Sequence, residues 1–318
     1  MLSNKNSFKD KKVFLIINSY YIGDILLANP LVQNIKQIYE DAHVVMLTPP
    51  SMVDVAKYQE GVDDVVVWDR SGVHHGCYNM LKFVWNFPYK NIYASFPIYS
   101  GDRAIMLAFL LRSKYILGQY RNIIGTLLKS KYKVNKIFDD VPGSNINFLS
   151  GITKSELHNY PIKLSLPNVN TDLLNSINEE FVCLCPTSSR IEKDMTKEDV
   201  CEIIENIKCK IVLLGRGESS KQLSDFVKGK NYDNLIDLSN KTSFLELAYV
   251  MNSSTGCISV DTGTLHLASA LNKRTVGVFY KKLNWGYRPD SSTYPNVFCG
   301  SDLRPNEIIK IFNDLQKK

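Results

Sequence analysis

The stretch that most limits the fold is residues 255–271. Residues 257–260, Cys-Ile-Ser-Val, form a short apolar run of strand type. Asp261, Thr262, Gly263 and Thr264 then interrupt it with turn residues. From Leu265 the spacing turns helical, with Leu265, Leu267, Ala268 and Leu271 on one apolar face. Strand, tight polar turn and helix in this order leave unpaired backbone N–H groups and the positive end of a helix dipole at the turn. Gly263 permits close approach of backbone to a ligand, Thr262 and Thr264 add hydroxyls, and His266 stands in the first helical turn. That set suits an anion such as a diphosphate. Read without a ligand, the same residues are a helix cap followed by a core histidine.

The alternation of strand and helix runs along the whole chain. Strands are expected at 13–17, 44–47 and 65–68, helices at 25–39, 52–58 and 104–111, and a return to the sheet at 115–117. Residues 82–85 and 92–96 resist typing. Residues 160–167 hold Pro161 and Pro167 and read as an extended linker. The pattern then restarts, with strands at 181–185, 211–214, 235–238, 257–260 and 275–279. Helices fall at 197–207 behind the N-cap Thr196, and at 220–227, 243–251 and 305–315. Such a chain is α/β, built of parallel β-α-β units whose ligands sit outside the carboxyl ends of the strands. With 318 residues, two domains of about 150 fit better than one. We expect two Rossmann-like doubly wound domains, 1–160 and 161–318, with the last helix free to pack back on the first. No Gly-x-Gly-x-x-Gly follows the first strand, which disfavours a nicotinamide-dependent dehydrogenase.

Charge narrows the partners. The net charge is +6, and residues 1–160 carry 18 Lys and Arg against 13 Asp and Glu, while 161–318 carry 20 against 19. The excess therefore lies in the first half, notably at Lys5, Lys9, Lys11 and Lys12 and at Lys129, Lys131, Lys133 and Lys136. It suits an anionic acceptor or a membrane face, or simply a solvated surface. No nucleic-acid motif is present and no nucleic-acid partner is expected. Seven cysteines without a Cys-x-x-Cys, three of them (Cys183, Cys185 and Cys257) in strands, suit a reducing cytoplasm. The opening residues are too polar for a secretory signal, and the apolar run 104–111 is too short to span a bilayer. Scattered histidines and the lack of an Asp-x-Asp give no metal site, and no cofactor is expected.

A second stretch shifts the balance towards a ligand. Gly23 and Asp24 follow the first strand and lead through Ile25, Leu26 and Leu27 to Pro30. This Gly-Asp-hydrophobic segment ending in Pro, together with Asp261-Thr-Gly-x-x-His266-Leu-Ala, resembles glycosyltransferase family 9, the ADP-heptose:lipopolysaccharide heptosyltransferases. The two motifs stand at the family's separation, and the resemblance spans nearly the whole chain. It implies the GT-B architecture, two doubly wound domains facing a cleft. It also implies inverting, metal-independent transfer of a sugar, heptose from ADP-heptose, to a lipopolysaccharide core or related bacterial glycan, by an enzyme at the cytoplasmic face of the inner membrane. Peripheral contact with that membrane is part of the expectation.

Sugar transfer needs a base for the acceptor hydroxyl and groups that stabilise the departing diphosphate. Asp24, beside Gly23, suits the base, and the resemblance gives it that role; the alternative is a cap on the following helix. In the loop 186–193, Thr187 and Ser188 offer hydroxyls and Arg190 and Lys193 offer charge. The resemblance makes Thr187, Ser188 and Lys193 phosphate ligands, although Met195 and Thr196 replace the family's aromatic and proline. Arg190 is a second cation able to serve. Glu218, after Gly215-Arg-Gly217, matches the family's acid for ribose hydroxyls, or is a turn residue. Residues 279–286 depart from the family's Gly-x-Thr-Asp-Pro, and Tyr280 and Trp285 are candidate stacking partners there, with Lys281 and Lys282 able to face phosphate. Two other functions remain open: the same fold with another nucleotide-diphospho-sugar, and a non-catalytic sugar-nucleotide-binding subunit.

Overall fold

A computed structural model describes residues 11–18, 21–98, 101–118, 134–168, 177, 179–280 and 285–317. The chain divides into two compact units, Met1–Ser165 and Leu166–Lys318. Each is a doubly wound parallel sheet.

The first unit is built on β1 (Lys12–Ile17), a run of apolar residues buried on both faces because it lies at the middle of its sheet. With β2 (Ala42–Thr48), β3 (Asp64–Val67), β4 (Ile92–Pro97) and β5 (Tyr115–Ile116) it forms a five-stranded sheet of order β3-β2-β1-β4-β5. Every pairing is parallel. The order reverses between β1 and β4, which makes the carboxyl edge there the place for a ligand. Helices α1 (Ile22–Leu26), α2 (Asn29–Ile38) and α3 (Val53–Lys57) serve the crossovers on one side of β1. α4 (Gly76–Trp85) and α5 (Gly101–Leu110) serve those on the other, and α6 (Val141–Asn147) packs on α2.

The helix expected at 25–39 is not continuous, and the division between the units falls inside the segment 160–167, after Ser165. The single helix expected at 25–39 is two helices parted at Leu27 and Ala28. Pro30 has no N–H and its ring crowds the carbonyl four residues back, so one helix cannot run through it; it sits instead in the first turn of α2. The presumed linker at 160–167 is, up to Ser165, strapped to the first unit. Asn34 exchanges two hydrogen bonds with the backbone of His158, at 2.7 and 2.9 Å. The Lys163 N–H donates to Asn29 Oδ1 at 2.9 Å, and the Ser165 N–H to the Tyr58 carbonyl at 2.8 Å. Asn29 and Asn34 are fully buried, so these bonds also satisfy polar groups that burial would otherwise penalise.

The second unit repeats the plan with one more strand. Its strands are β6 (Phe181–Cys185), β7 (Lys210–Leu213), β8 (Leu235–Asp237), β9 (Gly256–Val260), β10 (Arg274–Phe279) and β11 (Val297–Ser301). They lie in the order β11-β10-β9-β6-β7-β8, all parallel, so this sheet switches between β6 and β9. Its helices are α7 (Lys197–Asn206), α8 (Glu218–Lys228), α9 (Phe244–Ser253), α10 (Gly263–Ala270) and α11 (Pro305–Gln316). α11 lies on β9, β10 and α7, with Ile308 and Phe312 in the core. At Gly256 a Cβ would come within 2.6 Å of the Arg274 carbonyl and 2.8 Å of the Phe312 ring, so glycine is what lets α11 approach. No helix among the described residues is long and apolar enough to cross a membrane.

Candidate active site

The loops after β6 and β9, neighbours at the switch point, bring two of the expected residues together. Lys193 Nζ lies 2.6 Å from Asp261 Oδ2, with side chains only 14% and 7% exposed. The loop from Pro186 is drawn shut to achieve this. The Met195 N–H donates to the Pro186 carbonyl at 2.9 Å, and Met195 itself is buried in the core. Thr196 caps α7 by accepting from the Asp199 N–H at 3.1 Å. Met195 and Thr196 thus anchor Lys193 by core packing and a helix cap. Ser188 is held by three contacts: its N–H donates to Asp194 Oδ1 at 2.6 Å, and its hydroxyl donates to the Arg190 carbonyl at 2.8 Å and accepts from the Arg190 N–H at 3.0 Å. Arg190 is exposed.

α10 starts from Thr262, which makes no side-chain cap. The Thr264 hydroxyl turns inward to Ser259 Oγ at 3.0 Å, so toward a ligand Thr264 offers its N–H. His266 is buried, and burial pushes its pKa down to about 4; Asp261 opposes that shift and Lys193 adds to it. The imidazole is therefore neutral near pH 7. A helix N-terminus, an ammonium and a neutral ring N–H make an environment suited to an anion.

Thr187 sits where a third loop arrives. A Cβ on Gly215 would fall 2.7 Å from Thr187 Oγ1 and 2.5 Å from Ser220 Oγ, so the backbone after β7 closes against both hydroxyls. Thr187 Oγ1 is buried and has no hydrogen-bond partner among the described residues. Glu218 opens α8 behind Gly217, whose φ of 103° requires glycine. Asn240 accepts from the Gly217 N–H at 2.7 Å and donates to its carbonyl at 3.2 Å, a brace that nothing in the sequence announced. Glu218 is exposed and accepts from Gln222 at 3.3 Å.

Three further residues went unread in the sequence. Asp194, half-buried, is raised by burial against the opposing bonds of Ser188 and Ser219. Cys299 is pushed up to about 12 by burial and senses both Arg288 and Asp261, which places the Arg288 cation in the same neighbourhood. Only the fold could reveal this, because Arg288 follows the divergent stretch. Tyr280 packs on the core and its hydroxyl is buried, which makes it a structural aromatic. Lys281, Lys282 and the Trp285 side chain lie outside the described residues.

In the first unit, Gly23 and Asp24 are the second and third residues of α1, beyond the carboxyl end of β1. Asp24 is half-buried. The N-cap is Tyr21, so the capping alternative for Asp24 does not hold. Among the described residues no three His, Cys, Asp or Glu converge as metal ligands do.

Known proteins resemble the chain in part of its sequence and in its fold. Residues 148–294 match the family described as glycosyltransferase family 9 (heptosyltransferase). No curated protein sequence matches the chain. Among solved structures, the chain is similar to a family 9 glycosyl transferase from Veillonella parvula, with TM-score 0.81 and 14% identity over 97% of this chain and 98% of that one. It is similar to the E. coli ADP-heptose lps heptosyltransferase II, with TM-score 0.73 and 13% identity over 96% and 98%. The E. coli heptosyltransferase WaaC, solved with ADP, gives TM-score 0.73 and 15% identity over 95% and 99%. Residues 148–294 thus match the domain of glycosyltransferase family 9, in a chain that has the heptosyltransferase fold along its length.

Proposed function

We propose that the protein is an inverting heptosyltransferase, using ADP-heptose as donor and a lipopolysaccharide core or related anionic glycan as acceptor. The observation that carries this is the buried Lys193–Asp261 pair beside the start of α10, at the switch point of the second sheet. The names of the similar structures, with ADP and ADP-heptose in them, supply the nucleotide and the sugar. The +5 excess of residues 1–160 supports an anionic, lipid-linked acceptor and peripheral work at the inner face of a bacterial inner membrane.

In this reading Asp24 takes the proton from an acceptor hydroxyl as that oxygen attacks the anomeric carbon. The bond from that carbon to the diphosphate oxygen breaks, and ADP leaves. Its growing charge meets the N–H groups of α10, the Thr262 hydroxyl, the neutral His266 ring and the Lys193 ammonium. Thr187, Ser188 and Arg190 line the phosphate side, and Glu218 accepts from ribose hydroxyls. Lys193, already held by Asp261, needs little reorganisation to do this.

The test is a thermal-shift panel of ADP, UDP, GDP and ADP-heptose, followed by NMR of the transfer product. ADP and ADP-heptose should raise the melting temperature, since a ligand stabilises by mass action, and the product should have the inverted anomeric configuration. Stabilisation by UDP but not ADP would overturn the donor, and a retained configuration would overturn the mechanism.

A further inference from the structure

α4 is apolar on both sides. Its inner side, Met80, Phe83 and Val84, packs into the first unit, where Phe83 and Val84 join the core that also holds Ala104, Leu107 and Ala108 of α5. Its outer side carries Tyr78, Leu81 and Trp85, spaced three and four residues apart on one face and 78%, 53% and 84% exposed. A helix that is apolar all round is ordinarily buried. α5 adds exposed Met106 and Phe109, and exposed Val73 precedes α4.

The strips adjoin. The crossovers β3-α4-β4 and β4-α5-β5 step in the same direction along the sheet, and right-handed connections then set both helices on one face of it. α4 and α5 are in contact. Between Gly76 and Tyr115 the sequence holds five basic residues, Lys82, Lys90, Arg103, Arg112 and Lys114, and one acid, Asp102. All five bases are exposed, and Lys90 reaches the Trp85 carbonyl at 3.5 Å. Exposed aromatic and aliphatic side chains, with exposed Lys and Arg on and beside the same two helices, match an interfacial helix lying on anionic lipid. Among the described residues the second unit has no such face, and the exposed side of its helix α7 carries Glu198, Glu202 and Glu205.

We propose that the outer face of α4 and α5 is a docking surface for an anionic membrane. Tyr78, Leu81, Trp85 and Phe109 enter the headgroup region, while the basic residues meet lipid phosphates. A second copy of this chain is the rival occupant, and the charge argues against it, because a two-fold contact would set basic surface against basic surface. The proposal draws on the lipid-linked acceptor of the proposed function for its purpose alone. Vesicle binding is measured without donor or acceptor, so either can fail without the other.

The experiment is flotation with vesicles of phosphatidylcholine alone or mixed with phosphatidylglycerol, at low and raised salt. The full chain should float with the mixed vesicles only, and raised salt should release it. Trp85→Ala combined with Leu81→Ser should lower vesicle affinity by roughly tenfold or more. Lys82→Gln should lower it by about fivefold. Phe298→Ser, at an exposed apolar residue of β11, should change nothing. Phe109→Ser repeats the test on α5, should the double variant melt early. Absence of flotation, equal flotation of Trp85→Ala/Leu81→Ser and Phe109→Ser with the parent, or a dimer that Trp85→Ala dissolves while vesicles are ignored, each overturns the proposal.

Discussion

The two sheets each place an aspartate just beyond a strand at the switch point, and the two aspartates are held in opposite ways. Asp261 is buried, leads into an eight-residue helix and grips an ammonium at 2.6 Å. Asp24 is half-buried in the first turn of a five-residue helix that has no side-chain cap. A carboxylate engaged with a buried lysine is occupied in positioning. Asp24, half-buried in the first turn of its short helix, is the candidate base. One plan of strand, turn and helix thus yields a candidate anion cradle in one unit and a candidate base in the other, and the neighbours decide which.

The sharpest break of that comparison is Asp24→Asn. Shape is kept and basicity removed, so transfer should fall by about 10²–10⁴-fold. Donor affinity and melting temperature should hardly move, because asparagine keeps the shape of Asp24 and the N-cap of its helix is Tyr21. Transfer, ADP affinity and melting temperature measured on one sample decide it, and near-normal transfer would remove the base assignment.

Lys193→Ala probes the other aspartate. It deletes a cation and strands Asp261 inside the protein, where breaking a buried pair costs roughly 3–5 kcal/mol. ADP affinity should fall by roughly 10–100-fold, the worth of one charge-assisted hydrogen bond, and the melting temperature should fall with it. Calorimetric titration with ADP reads the first effect. Unaltered ADP binding in a destabilised variant would make Lys193 a structural partner of Asp261 and nothing more.

A smaller effect concerns pH. His266 has a folded pKa of about 4 against 6.5 for the free side chain. As pH falls from about 6.5, the unfolded chain takes up this proton first, so stability is lost towards pH 4, by at most about 1.4 kcal/mol per pH unit. His43, also lowered by burial, contributes with the same sign, so the measurement is a difference. Melting curves of the parent and His266→Gln should converge as the pH falls from 6.5 to 4, relative to their separation at pH 7. Parallel curves would mean that His266 is not buried neutral.

The smallest effect calibrates the first. Ser243 and Glu246 form a full capping box on α9, so Ser243→Ala should cost about 1 kcal/mol without altering ADP affinity. Asp24→Asn should show no such loss. An equal shift in denaturation midpoint for both variants would mean that Asp24 supports its helix after all.

Where one strong signal dominated, the sequence was easily read. Buried strands such as β1, β6 and β9 announce themselves because both faces need apolar residues. Other elements were hidden. α4 is apolar inside and out, which erases the helical period. α6 contains Pro142, Gly143, Ser144 and two asparagines, a poor helix by propensity. It is held by the cap from Asp140 and by Asn145 donating to the Leu27 carbonyl at 3.2 Å. β11, with Gly300 and a partly exposed pattern, exists because β10 offers it an edge.

The site divides in the same manner. Residue type, local order and the family resemblance point to Asp24, Lys193, Asp261 and His266 as candidates, because a turn between strand and helix is set by its own few residues. Only the tertiary structure could set Lys193 against Asp261, 68 residues apart, fix His266 in its neutral form, bring Arg288 near, and leave the outer face of α4 uncovered. Those properties depend on distance and burial, which arise when strands distant in sequence become neighbours in a sheet, and no local pattern of residues encodes them.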